Sequence, residues 1–198
     1  MLKTLIVYAH LLATAFALVE LLRFDFRILR KLHQPLDAND RQRLQVARVT
    51  INYALGVLWL TGIGLVVLNA LADPDATLAN EKLWMKIVAV MLLTLNGILV
   101  HRLAVRWIVP GQMIHQMPTS QQQLLLVMGT ISTVSWLFAA FLGIARIWNN
   151  SVRIEELLVL YGALLIAAMV FVNVLLAAWP GRNVQPVQVA TGRQDTDA

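Results

Sequence analysis

An all-α integral membrane protein, a bundle of five transmembrane helices with the N-terminus outside and the C-terminus inside, is the fold class this sequence predicts. Three observations carry it. Of the 198 residues, 59% are hydrophobic and only 14% charged, where a soluble domain runs at about 45–50% and about 25%. Almost every apolar residue falls into one of five blocks of about 18–25 residues, each long enough to cross about 30 Å of hydrocarbon. The basic residues gather beside alternate ends of these blocks. A soluble enzyme is excluded. With no cysteine in the chain, disulfides, thiolate metal sites, CxxC redox pairs and iron–sulfur clusters are excluded too. The net charge of +5 does not mark a nucleic-acid binder, because the basic residues flank apolar spans instead of forming an aromatic-studded face.

The first span runs from Leu5 to about Leu22. It has only Lys3 before it and Arg23, Arg27, Arg30 and Lys31 after it, whereas a cleavable signal carries its positive charge before the apolar run. It is expected to be retained. The second span covers about Val49 to Leu71, the third Leu83 to about Val105, the fourth about Leu124 to Ile147 and the fifth about Leu157 to Trp179. Ahead of the second, turn residues from Gln34 to Asp40 lead into an amphipathic basic stretch, Asp40 to Arg48, expected to cap that span as a surface helix. Pro180-Gly181 stops the last helix. Residues 1–180 thus form one membrane domain, and residues 181–198 are predicted to be a disordered cytoplasmic tail.

Charge sets the orientation. Seven Arg and Lys lie between Arg23 and Arg48, and Arg102, Arg106, Arg182 and Arg193 fall on the same side, eleven in all. The other side has five: Lys3, Lys82, Lys86, Arg146 and Arg153. By the positive-inside rule the eleven face the cytoplasm of a bacterial inner membrane. Trp84, Trp107, Trp148 and Trp179 fall at span ends, where amphipathic rings favour the headgroup level. Only Trp59 and Trp136 fall in mid-span.

Ionisable residues inside a span are costly and are the first candidates for function. At about 1.5 Å per residue they sort into two levels. His10 enters about 9 Å below the outer face, level with Lys86, Trp136 and Tyr161, which could share an outer pocket with it. Glu20, Asn52, Asn96, His101, Arg102 and Asn173 form an inner polar layer, with Glu20, Asn52, His101 and Asn173 about 24–27 Å deep. For Glu20 the plain reading is an i,i+3 pair with Arg23, and the sharper one a proton or cation ligand facing His101. Lys86 can snorkel outward. His10 has no local charge to pair with and must meet a partner on another span or a bound ligand. A haem between His10 and His101 is disfavoured, since the two differ in height by roughly 15 Å.

Met113-Ile114-His115-Gln116-Met117 places two thioethers and an imidazole at spacing two, a donor set that suits Cu(I). A plain interfacial loop has the same composition. The glycines, including Gly56, Gly62 and Gly64 in the second span, need only close helix packing to explain them. The sequence has no Gly-rich phosphate loop, GxSxG, HExxH or paired carboxylates.

Lys86 to Gly97, with Asn96 near its end, followed by His101-Arg102 and then Val109-Pro110, resembles the copper resistance protein D type of membrane domain. Tyr8-Ala9-His10-Leu11-Leu12-Ala13 also resembles the histidine-bearing first helix of that family and of the histidine-containing membrane protoporphyrinogen oxidases. The resemblance covers two of the five spans. It implies a small inner-membrane protein that handles copper or another metal, or else one that binds b-type haem in redox or haem-biosynthetic work. A non-catalytic accessory subunit, held by a second copy or a membrane-complex partner, is the third expectation.

Overall fold

The computed structural model describes residues 1–31, 34–107, 111, 113–148 and 151–178. In chain order the helices are α1 (Leu2–Arg30), α2 (Ala38–Ala72), the short α3 (Pro74–Leu78), α4 (Glu81–Leu99), the three-residue α5 (Val105–Trp107), α6 (Thr119–Ile144) and α7 (Ile154–Ala178). A π-helical turn, Val100–Ala104, carries α4 on into α5. Five helices are long and apolar enough to cross a membrane, as a multi-pass protein requires. Their outer faces need lipid: Leu60 is 75% exposed, Val159 73% and Ile166 68%, apolar area that a soluble chain would not leave in water.

Two helices are longer than their apolar runs. The basic stretch from Asp40 to Arg48 is not a separate surface helix but the first part of α2, one unbroken helix of 35 residues. Neither Gly nor Pro occurs between Ala38 and Leu55 to break it. Likewise α1 runs for 29 residues, carrying the helix through Arg23 and Arg27. The two form an antiparallel hairpin closed by a charged elbow. Asp37 caps α2 by accepting from the Asp40 N–H at 2.7 Å, while the Asp40 carboxylate accepts from the Asp37 N–H at 3.0 Å, the reciprocal pattern of a capping box. Lys31 bonds Asp40 at 2.5 Å and Asp37 at 3.1 Å, and Arg27 reaches Asp40 at 3.4 Å. At the other end Lys3 donates to Asn69 at 2.7 Å.

The hairpin elbow is covered by the segment before α6. The Gly111 N–H donates to the Leu36 carbonyl at 2.7 Å, Pro35 and Met113 make an isolated antiparallel bridge, and Ile114 and Met117 pack against Leu36 and Leu44. Gly111 adopts φ +86, a left-handed conformation that glycine enters without steric cost. Among the described residues there is no strand.

The main core joins α1, α2, α4 and α6 through Ala13, Ala17, Leu21, Ala54, Leu58, Leu93 and Trp136. A second cluster, Met85, Phe138, Leu142, Leu157 and Tyr161, fixes α7 against α4 and α6. The start of α4 clamps both neighbours. The Glu81 carboxylate accepts from the Ile154 N–H at the start of α7, and Lys82 donates to the Ala145 carbonyl that ends α6, at 2.8 Å. Each charge opposes the matching end of a helix dipole. The sequence supplies the other boundaries locally: Asp73 caps α3, with Pro74 at its first position, and Asn80 caps α4. Trp179 and the tail 181–198 lie outside the described residues.

Candidate functional site

His10, on α1, meets a side chain of the neighbouring α2. Its Nδ1 lies 2.8 Å from Thr61 Oγ1 on α2. Thr61 has one hydroxyl proton and stands 2.6 Å from the Val57 carbonyl and 3.3 Å from the Leu58 carbonyl. A carbonyl can only accept, so when the hydroxyl donates to Val57 one turn back its oxygen is left to accept from an N–H on His10 Nδ1. Nε2 has no hydrogen-bond partner among the described residues. A histidine bonded through one ring nitrogen keeps the other for a second partner.

Small residues make room for the ring. A Cβ added at Gly62 would stand 3.7 Å from His10 Cε1, and one at Gly64 3.8 Å from Ile6 Cδ1. A methyl group there makes ordinary contact, but any larger side chain would meet the imidazole. Thr14 bonds back to the His10 carbonyl at 2.8 Å. On the neighbouring α4, Thr94 donates to Val90 at 2.8 Å and accepts from Trp59 of α2 at 3.1 Å. Lys86 lies two turns before Thr94 on the same face of α4. It is half-buried and makes no hydrogen bond or ion pair among the described residues.

The other residues expected in an outer pocket go elsewhere. The Tyr161 hydroxyl bonds Ser135 Oγ at 2.7 Å, and Ser135 in turn bonds the Ile131 carbonyl at 2.5 Å. Trp136 is 2% exposed in the main core. None of Lys86, Trp136 and Tyr161 shares a hydrogen bond with His10 among the described residues. Tyr161 belongs to α7, which packs on α4 and α6.

The six residues of the expected inner layer do not converge. Glu20 pairs with Arg23 at 3.4 Å. Asn96 is buried and donates to the Met128 carbonyl at 2.8 Å, tying α4 to α6. Asn173 bonds the Met169 carbonyl of its own helix at 2.8 Å. Asn52, His101 and Arg102 are exposed, the last two in the π-helical turn. In the Met-His loop, Met117 is spent on packing at 3% exposure, Met113 is half-buried at the bridge with Pro35, and the His115 side chain lies outside the described residues. Among the described residues no group of three or more His, Asp or Glu is disposed to hold a metal ion.

One residue that the sequence reading passed over belongs with these. Asp25 accepts from Thr133 Oγ1 of α6 at 2.5 Å. Its sequence signal is the buried stripe of α1, Ala13, Ala17 and Leu21, at intervals of four. The next step of that stripe is Asp25.

No family model, curated protein or solved structure matches the chain.

Proposed function

We propose that this chain is a multi-pass protein of a bacterial inner membrane, N-terminus outside and C-terminus inside, that binds b-type haem through His10. The observation that supports this is the 2.8 Å bond between His10 Nδ1 and Thr61, with Nε2 left without a hydrogen-bond partner among the described residues. Thr61 holds the ring in place. Haem, when bound, supplies an iron that takes up or gives up one electron.

Lys86 favours haem over a bare copper ion. A half-buried ammonium with no ion-pair partner among the described residues repels a free cation and attracts the carboxylates of a porphyrin. His101 does not serve as a second ligand, since it stands fifteen residues past Lys86, about 22 Å along α4. The resemblance of the first and third spans to copper and haem proteins points to the same two ligand classes.

Protein made with haem supplied should show a Soret band. His10→Gln and His10→Leu should both lose the band while the helical circular dichroism is kept. Thr61→Val should weaken haem binding by about 10–100-fold, the usual cost of removing a ligand's hydrogen-bond partner. A band of full intensity in both His10 variants, or a wild-type protein that never shows one, would sink the proposal. Copper measured on the same samples tests the metal-handling reading. Protein free of both is the result expected of an accessory subunit.

The orientation is tested separately. Single cysteines at Asp75 and Arg43, both exposed in the structure, should label oppositely with an impermeant thiol reagent applied to intact cells: Asp75 labelled and Arg43 protected. The reverse pattern would invert the topology.

A further inference from the structure

We infer that Asp25 is an intramembrane proton-binding site, a carboxyl group held between α1 and α6 with the Thr133 hydroxyl as its partner. It is separate from the haem proposal, since Asp25 stands fifteen residues beyond His10, about 22 Å along α1.

Position is the first ground. Thr133 is nine residues into the apolar run of α6 that starts at Leu124, about 13 Å along the helix. The bond to Thr133 sets the Asp25 carboxyl group at that level of α6. Trp136, one turn beyond Thr133, packs in the main core with Ala17 and Leu21 of α1. The carboxyl group is therefore placed at the edge of the apolar core. Its sequence neighbours Arg23 and Arg27 suggest a surface position, but Thr133 draws it inward.

The absence of a counter-charge is the second ground. Helix α6 carries no ionisable residue between Thr119 and Ile144. On α1, Arg23 is paired with Glu20 and Arg27 with Asp40. On α2, Asp40 is taken up by Arg27 and Lys31, Arg41 and Arg43 are exposed, and Arg48 has its Nε enclosed without a hydrogen-bond partner. In the turn after α4, His101 and Arg102 are exposed. None of the ion pairs among the described residues includes Asp25.

A carboxylate offers about four acceptor sites, and here one hydroxyl fills one of them. An ionised group so placed bears a desolvation cost that a single neutral hydrogen bond does not offset. A proton on Oδ1 removes the charge and leaves the Thr133 bond to Oδ2 intact. The seam between α1 and α6 thus holds a group that takes up and gives back one proton inside the bundle.

The test is modification of the full chain, in liposomes, by dicyclohexylcarbodiimide. This apolar reagent adds the O–H of a protonated carboxyl group across one of its N=C bonds, and the acyl group then shifts to nitrogen, so nothing leaves and a stable acylurea remains. Peptide mass spectrometry should find the adduct on Asp25 at neutral pH, with labelling lost as pH rises. Asp25→Asn should remove it. Thr133→Val should carry the loss to higher pH, because the charged form then has no donor. Should Asp25→Asn fail to fold, the wild-type pH series and peptide map still decide. Labelling by a water-soluble carbodiimide with an amine but not by the apolar reagent, labelling independent of pH, or no adduct on Asp25 would each overturn the inference. Asp25→Asn that folds should keep its Soret band, so failure here is distinguishable from failure at His10.

Discussion

Replacing Trp136 with alanine should destabilise the bundle by about 3 kcal/mol, toward the lower end of the range for large aromatic truncations in packed interiors. Trp136 is 2% exposed and joins Ala13, Ala17 and Leu21 of α1, Ala54 and Leu58 of α2, and Leu93 of α4. The small alanines opposite it are sized for an indole, so neighbouring side chains cannot fill the vacated space. In lipid the transfer part of the cost is small, because an unpacked helix still sits among hydrocarbon. The lost dispersion contacts and the cavity remain. Titration of dodecyl maltoside micelles with a denaturing detergent, followed by circular dichroism, measures the shift. Leu60→Ala is the control, since Leu60 is 75% exposed. Equal stability of the two variants would show that Trp136 is not the centre of the core.

The second large effect is expected at the elbow between α1 and α2. Asp40→Ala removes the reciprocal half of the capping box, the bond from the Asp37 N–H, worth about 1 kcal/mol, together with the anion that holds Lys31 and Arg27. Asp40 is 3% exposed, but Lys31 and Arg27 reach solvent and can rehydrate. The total is therefore about 2–3 kcal/mol, less than for a fully enclosed pair. The elbow also has a pH signature. Lys31 holds its proton more tightly than a free lysine because Asp40, and then Asp37, bond its ammonium. Asp37 is held below the usual carboxylate range by the Asp40 N–H and then by Lys31.

The signs follow by linkage. The contribution of Asp37 is complete above about pH 4, its unfolded value, and is lost as pH falls through its lowered one. That of Lys31 is complete below about pH 10 and is lost as pH rises through its raised value. Because Asp40→Ala keeps the backbone N–H that holds Asp37, the difference in melting temperature between wild type and variant follows Lys31: it should be flat below about pH 10 and shrink above it. A difference that grows toward alkali would contradict the ion-pair assignment.

Helix number and type were legible from composition because hydrocarbon leaves the backbone one option. Every N–H and C=O must be bonded within its own segment, so an apolar run of this length becomes a helix. Pro74, Asp73 and Asn80 mark helix starts through their own local chemistry. The ends of α1 and α2 were less legible, since Arg, Gln and Asn near the bilayer surface neither forbid helix nor require it. Contact with Ile114, Met117 and Leu125 gives the extended hairpin something to pack on.

His10 was legible as a costly group, but its partner was not. Counting residues along a helix gives height, and height alone made Tyr161 and Trp136 look suitable. Which side chains meet depends on helix rotation and on which helices are neighbours, and both are settled by packing small faces together. Here α2 packs along α1 with Gly62 and Gly64 beside His10 and Ile6, and Thr61 comes to His10 in that packing. Asp25 shows the same division between sequence and fold. Its charge and its arginine neighbours are written in the sequence, while its depth is decided by Thr133, a residue 108 positions away that only the folded bundle brings alongside.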